Sequence, residues 1–102
     1  MGVEKGLSHY SLLAMQEAIA QVGIEAFTQT AMRGGSAMGL TQTQMLDVIV
    51  NLTPQDFYKS MTTHNDHRIW QDVYHGRCPN GMTAYIKLTL VNERIVIQFK
   101  EK

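Results

Sequence analysis

The spacing of apolar residues changes character along the chain. Up to about residue 60 they recur every three or four positions, and from Arg68 onward every second position. In the first regime Leu12, Met15, Ile19 and Val22 share one helical face. Ser8 or Ser11 can cap that helix, and Gly23 stands just past its end. A second helical stretch runs from Thr28 to Gly39. Gly34 and Gly35 lie inside it, and each costs about 1 kcal/mol against alanine, which predicts a broken or shortened helix. Thr41 opens a third helix with Leu46, Ile49 and Val50 on its buried face. Thr53-Pro54 reads as a cap followed by proline at the first helical position, predicting a short helix that carries Phe57, Tyr58 and Lys59.

In the second regime Arg68–His75 predicts a strand, Pro79-Asn80-Gly81 a turn, and Met82–Val91 a second strand. Ala84, Ile86, Leu88 and Leu90 face one way; Tyr85, Lys87 and Thr89 face the other. Asn92-Glu93 is a tight turn into a third strand, Arg94–Lys100, with Ile95, Ile97 and Phe99 opposite Val96, Gln98 and Lys100. Helices first and an antiparallel meander second make an α+β domain, with the N-terminal helices packed on the apolar face of the C-terminal sheet. The other face then presents Tyr85, Lys87, Gln98 and Lys100 side by side. A solvated polar face is the ordinary explanation of such a row.

At 102 residues the chain is one domain, residues 1–102. Its 44% apolar and 18% charged residues suit a packed core. Nine basic and nine acidic residues cancel, which argues against a protein that coats polyanions. The charge is uneven, however. Residues 1–50 carry two cations and four carboxylates, and residues 51–102 carry seven and five. An anion would therefore bind the second half. Cys78 is the lone cysteine, so neither an internal disulfide nor a cysteine-based zinc site is available, and a reducing, cytoplasmic address is expected. No apolar run has the length of a secretion signal or a membrane span.

Motifs narrow the chemistry. His64 and His67 have the spacing H-x-x-H, with His75 further on, but neither HExxH nor a Cys/His pattern is present, so loop histidines are expected rather than a metal site. Gly34-Gly35 lacks the lysine and the preceding strand of a phosphate loop. There is no Gly-x-Ser-x-Gly elbow. Met15, Met32, Met38 and Met45 read as core filler. What remains is Lys59, Gln71, Tyr85, Lys87 and Lys100: cations, an amide and a phenol, groups that engage phosphates and ribose hydroxyls.

Longer runs carry a resemblance. Asp56-Phe57-Tyr58-Lys59-Ser60-Met61-Thr62-Thr63, Asp66-His67, Ile69-Trp70-Gln71-Asp72-Val73-Tyr74, Tyr85-Ile86-Lys87-Leu88-Thr89-Leu90 and the terminal Phe99-Lys100-Glu101-Lys102 resemble the MqsR toxins. The first half resembles that family in length and layout more than in residues. The resemblance implies a type II toxin with a RelE-like ribonuclease fold that cleaves messenger RNA, in this family at GCU triplets, without metal or organic cofactor. It implies an MqsA-like antitoxin partner with zinc-binding and helix-turn-helix domains, and contact with promoter DNA only through that partner. It assigns the catalytic positions to Lys59, Gln71, Tyr85 and Lys100, with Lys87 and Tyr58 as substrate-binding residues. A catalytically attenuated homologue that only binds antitoxin or RNA is the alternative.

The chemistry can be sharpened. An ordinary lysine has a pKa near 10.4, so using one as a base at neutral pH adds roughly 4–5 kcal/mol to the barrier. Lys59 and Lys100 are therefore expected to stabilise charge at phosphorus, while Tyr85 positions the phosphate or ribose and Gln71 hydrogen-bonds the substrate. The rival expectation is that crowding by Lys87 and Lys100 lowers the Lys59 pKa and makes it the base. Trp70 is expected to pack in the core rather than offer a stacking platform.

Overall fold

The computed structural model describes residues 3–102. Three helices, α1 (Leu12–Val22), α2 (Gln29–Ala37) and α3 (Gln42–Val50), precede four strands of an antiparallel sheet: β2 (Phe57–Thr62), β3 (Trp70–Arg77), β4 (Thr83–Val91) and β5 (Arg94–Glu101). A two-residue strand, β1 (Glu4–Lys5), adds to the outside of β2, and the sheet order follows the chain from β1 to β5. The architecture is the α+β arrangement that the two spacing regimes imply.

Local chemistry sets the helices. The side chains of Ser11, Thr28 and Thr41 accept from the backbone N–H three residues on, and Gln44 returns a bond to the Thr41 N–H. Each bond satisfies a donor that the first helical turn leaves without a partner. At the other end of α3, Gln16 from α1 donates to the carbonyls of Ile49, Val50 and Leu52, tying the two helices together. Met15, Ile19, Ala31, Met45, Val48 and Ile49 meet Ala84, Ile86, Leu88, Ile97 and Phe99 in one core. On α3 the buried face is Met45, Val48 and Ile49; Leu46 is only partly buried and Val50 is exposed, so the expected stripe is rotated by one position.

Three expectations need correcting. First, α2 runs unbroken through Gly34 and Gly35. The glycines are there for space: a Cβ on Gly34 would collide with the Phe99 carbonyl oxygen of β5, and one on Gly35 with the tip of Met45. Phe27 forms a parallel bridge with Ile97, and the Thr28 N–H donates to the Ile97 carbonyl at 3.1 Å, holding the start of α2 against β5. Second, Thr53-Pro54 starts one 3-10 turn only, Pro54–Asp56, closed by the Asp56 carboxylate accepting from the Thr53 N–H at 2.8 Å. Phe57, Tyr58 and Lys59 then enter β2 rather than a helix, because pairing with β3 offers their backbone a ladder. Third, β3 begins and ends two residues later than expected.

The β4–β5 hairpin closes on Asn92-Glu93, both with positive φ (51° and 65°), flanked by the Val91–Arg94 pair. That is the two-residue turn whose twist matches the strands. Glu93 carries a left-handed strain of roughly 1–2 kcal/mol that glycine does not. Glu93→Gly is expected to raise stability by about 0.5–1 kcal/mol, the remainder going to glycine's greater freedom when unfolded. A urea midpoint unchanged or lowered would contradict this.

Candidate active site

Directly paired residues of an antiparallel ladder project from the same side. The register therefore assembles the face away from the helices as three parallel rungs. One rung is Lys59–Val73–Lys87–Gln98. The next is His75–Tyr85–Lys100, and on the other side lies Met61–Gln71–Thr89–Val96. Neighbouring rungs stand two residues apart, roughly 7 Å.

A β-bulge completes the middle of this face. The register slips between Phe57, opposite Tyr74, and Lys59, opposite Val73, so two steps on β2 span one on β3. In regular alternation Tyr58 and Lys59 would point to opposite sides. The extra residue lets Tyr58 stack on His75 with ring centroids 4.5 Å apart while Lys59 keeps its place beside Val73. His75 in turn lies 5.7 Å from Tyr85, and the Lys100 Nζ lies 5.4 Å from the Tyr85 ring centre. Tyr58, His75, Tyr85 and Lys100 thus form a continuous row beside the Lys59–Lys87 rung.

Charge is distributed unevenly over these groups. Lys59 Nζ donates to Glu4 Oε2 of β1 at 2.8 Å, and this bond raises the Lys59 pKa above the ordinary lysine value. Lys87 is pushed down, first by its own burial and then by the ammonium groups of Lys100 and Lys59. The crowding expected at Lys59 therefore acts on Lys87. Lys59 is a held cation and a poor proton acceptor. Val73, between the two lysines, is fully buried, so their methylene stems line an apolar floor. A cavity of about 190 Å³ opens beside the row, between α2 and the sheet, lined by Thr30, Ala31, Tyr85, Lys87, Gln98, Phe99 and Lys100.

Of the positions expected to act together, Lys59, Tyr85 and Lys100 share this face with Lys87 and Tyr58. Gln71 shares it too, one rung beyond Lys59 and Lys87, but is only 9% exposed. Trp70 lies outside the face, under the N-terminal segment: the Lys5 Nζ sits 4.1 Å above its ring, His9 stacks on it at 5.4 Å, and its carbonyl accepts from the Tyr10 hydroxyl. That segment is anchored by the buried Asp72 carboxylate, which accepts from the N–H groups of His9 and Tyr10.

The three histidines grouped by sequence spacing part company. His64 and His67 are exposed in the loop between β2 and β3, whereas His75 is half-buried on β3 between two tyrosine rings. Among the described residues no three His, Cys, Asp or Glu side chains gather as a metal site would require. His75 was absent from the residues expected to act. The available signal was alternation along β3, which puts it on the face of Val73.

Comparison with known proteins gives the family. The family model described as motility quorum-sensing regulator, toxin of MqsA, matches residues 7–101. The mRNA interferase toxin MqsR of Escherichia coli (strain K12) is 38% identical over 100 residues, covering 98% of this chain and all of that protein.

Proposed function

The chain belongs to the MqsR toxin family, and from that premise we propose that it is an endoribonuclease, the toxin of a type II toxin–antitoxin pair, acting on messenger RNA at GCU triplets. The observation that carries the reading is the convergence of three lysines and Tyr85 on one sheet face of a chain with no net charge. Such a face suits a phosphodiester whose charge grows during cleavage.

The reaction is attack of a ribose 2′-oxygen on the adjacent phosphorus, with departure of the 5′-oxygen. It leaves a 2′,3′-cyclic phosphate and a 5′-hydroxyl. Lys59 and Lys100 stabilise charge on the phosphorane oxygens from opposite sides of Tyr85, and the Tyr85 hydroxyl positions the phosphate or ribose. Lys87 binds a non-bridging oxygen or a neighbouring phosphate, and Tyr58 offers a ring to an unpaired base. Gln71 hydrogen-bonds the substrate from the edge of the floor. These ammonium groups supply the electrostatic work without a metal ion. The partner is an MqsA-like antitoxin, through which alone the toxin meets promoter DNA. No described helix is long and apolar enough to cross a membrane, and the site of action is the cytoplasm, where messenger RNA is found. The matched residues act as one domain.

The test is a defined RNA with one GCU, incubated with purified protein in EDTA and sequenced at its product ends. Cleavage at that triplet, leaving a cyclic phosphate, is expected. Binding without cleavage, with and without ribosomes, would assign the chain as an attenuated binding module. Cleavage that EDTA abolishes and magnesium restores would overturn the metal-free route.

A further inference from the structure

Three lysines and a tyrosine that stabilise and position leave two proton transfers of the proposed reaction unassigned: something must accept the 2′-hydroxyl proton, and something must supply one to the departing 5′-oxygen. Lys59 is fixed as a cation by Glu4. Lys100 is exposed at the far end of the row. His75 sits in the middle of that row, its ring stacked on Tyr58 at 4.5 Å and tilted against Tyr85 at 5.7 Å. Two flanking rings hold the imidazole plane and leave its nitrogen-bearing edge for a third party. None of the side-chain hydrogen bonds among the described residues uses a His75 nitrogen, and neither nitrogen is a buried atom lacking a partner. A ring so clamped, with both nitrogens unspent and solvent-accessible, is built to meet something outside the protein.

We propose that His75 is the general base of this active site, an inference that rests on the ribonuclease reading. A neutral His75 nitrogen takes the 2′-hydroxyl proton as the 2′-oxygen bonds to phosphorus. The phosphorus–O5′ bond breaks, and its electron pair leaves on the 5′-oxygen, which takes a proton from the Lys100 ammonium. Solvent then removes the proton from His75 and returns one to Lys100. Atoms, charge and protons balance, with no co-reactant beyond water.

The surroundings favour a neutral ring. The groups facing His75 are Tyr58 and Lys59 on β2, Tyr85 and Lys87 on β4, and Lys100 and Lys102 at the end of β5. The charged side chains among them are all cations, and the carboxylate that the strand register puts on this face, Glu4, is engaged with Lys59. Burial first, and Lys102 second, lower the His75 pKa below the ordinary histidine value. The acceptor form therefore predominates at neutral pH, and on the acid side activity should fall as pH drops through that lowered pKa.

The test is single-turnover cleavage of the one-GCU RNA in EDTA from pH 4.5 to 8.5, for wild type, His75→Gln and His75→Phe. Wild type should show an acidic limb with one inflection below the ordinary histidine range. His75→Gln should retain the wild-type circular dichroism and RNA affinity, cut about 10²-fold more slowly at pH 7, and lose the limb. His75→Phe, which keeps the stack on Tyr58, should be equally slow. A stacking role alone would instead leave His75→Phe active. Added imidazole should partly restore His75→Gln. If wild type cuts and His75→Gln keeps the rate and the limb, His75 is not the base and the ribonuclease reading stands. If wild type cuts no RNA at any pH, with or without ribosomes, the function and this inference fall together.

Discussion

Lys59→Ala is expected to slow single-turnover cleavage about 10²–10³-fold at neutral pH, a loss of roughly 3–4 kcal/mol of transition-state stabilisation, while leaving the fold intact. The argument starts from what Lys59 does in the free protein. Its ammonium makes one ion pair, to Glu4, on a partly exposed edge. Exposed pairs of this kind contribute about 0–1 kcal/mol to stability, so folding loses little. Cleavage loses much more, because the negative charge developing at phosphorus faces one fewer fixed cation in a site floored by the buried Val73. Glu4→Gln separates the two roles. It releases the ammonium without removing it, so it should lower the Lys59 pKa and leave cleavage within a few fold of wild type. Tyr85→Phe keeps the ring between His75 and Lys100 and removes only the hydroxyl; it should cost about 10²-fold. Wild-type rates in both Lys59→Ala and Tyr85→Phe would mean that the reaction uses another face of the molecule.

Which parts of this site were legible in the sequence follows from the range of the forces that set them. The helix starts at Ser11, Thr28 and Thr41 are cap signals three residues long, and a local reading finds them. The β4–β5 hairpin is equally local, since alternation and a two-residue turn fix which residues share a face. Tyr85, Lys87, Gln98 and Lys100 were thus legible as neighbours from local pattern alone. Lys59 was not. Its own neighbourhood spells a capped helix start, and only pairing with β3 turns Phe57–Thr62 into a strand. The resemblance to MqsR toxins named Lys59, but the bulge that seats Tyr58 beside it has no signature in the residues. His75 stayed hidden for a different reason: taken with His64 and His67 it read as one more loop histidine, while its role depends on two rings brought in by β2 and β4. Strand β1 is two residues long and has no period to read.

The glycine pair in α2 shows the same conflict between local and tertiary preference, and it can be measured. Helix propensity alone says that Gly34→Ala should stabilise the protein by about 1 kcal/mol. The opposite is expected: a net loss of about 2–3 kcal/mol and a fall in Tm of roughly 10–20 °C. The added Cβ would run into the Phe99 carbonyl oxygen and crowd the Lys100 Cα at 3.2 Å. Both are backbone atoms of a strand held on one side by β4, so neither yields by changing a rotamer. The helix must lift off β5 instead, opening the core around Ala31, Ile97 and Phe99. Gly35→Ala meets only the flexible end of Met45 and should cost less than Gly34→Ala. Ser36→Ala, exposed on the same helix, should be neutral or slightly stabilising. That ordering distinguishes close approach from a general intolerance of substitution in α2. The clash also lies next to Lys100, so the fraction of Gly34→Ala that remains folded should cut more slowly than its population explains. A displacement of about 1 Å in a positioned group can cost 10²-fold. A Gly34→Ala protein as stable and as active as wild type would mean that α2 does not sit this close to β5, and that the helix does not hold the lysine strand in place.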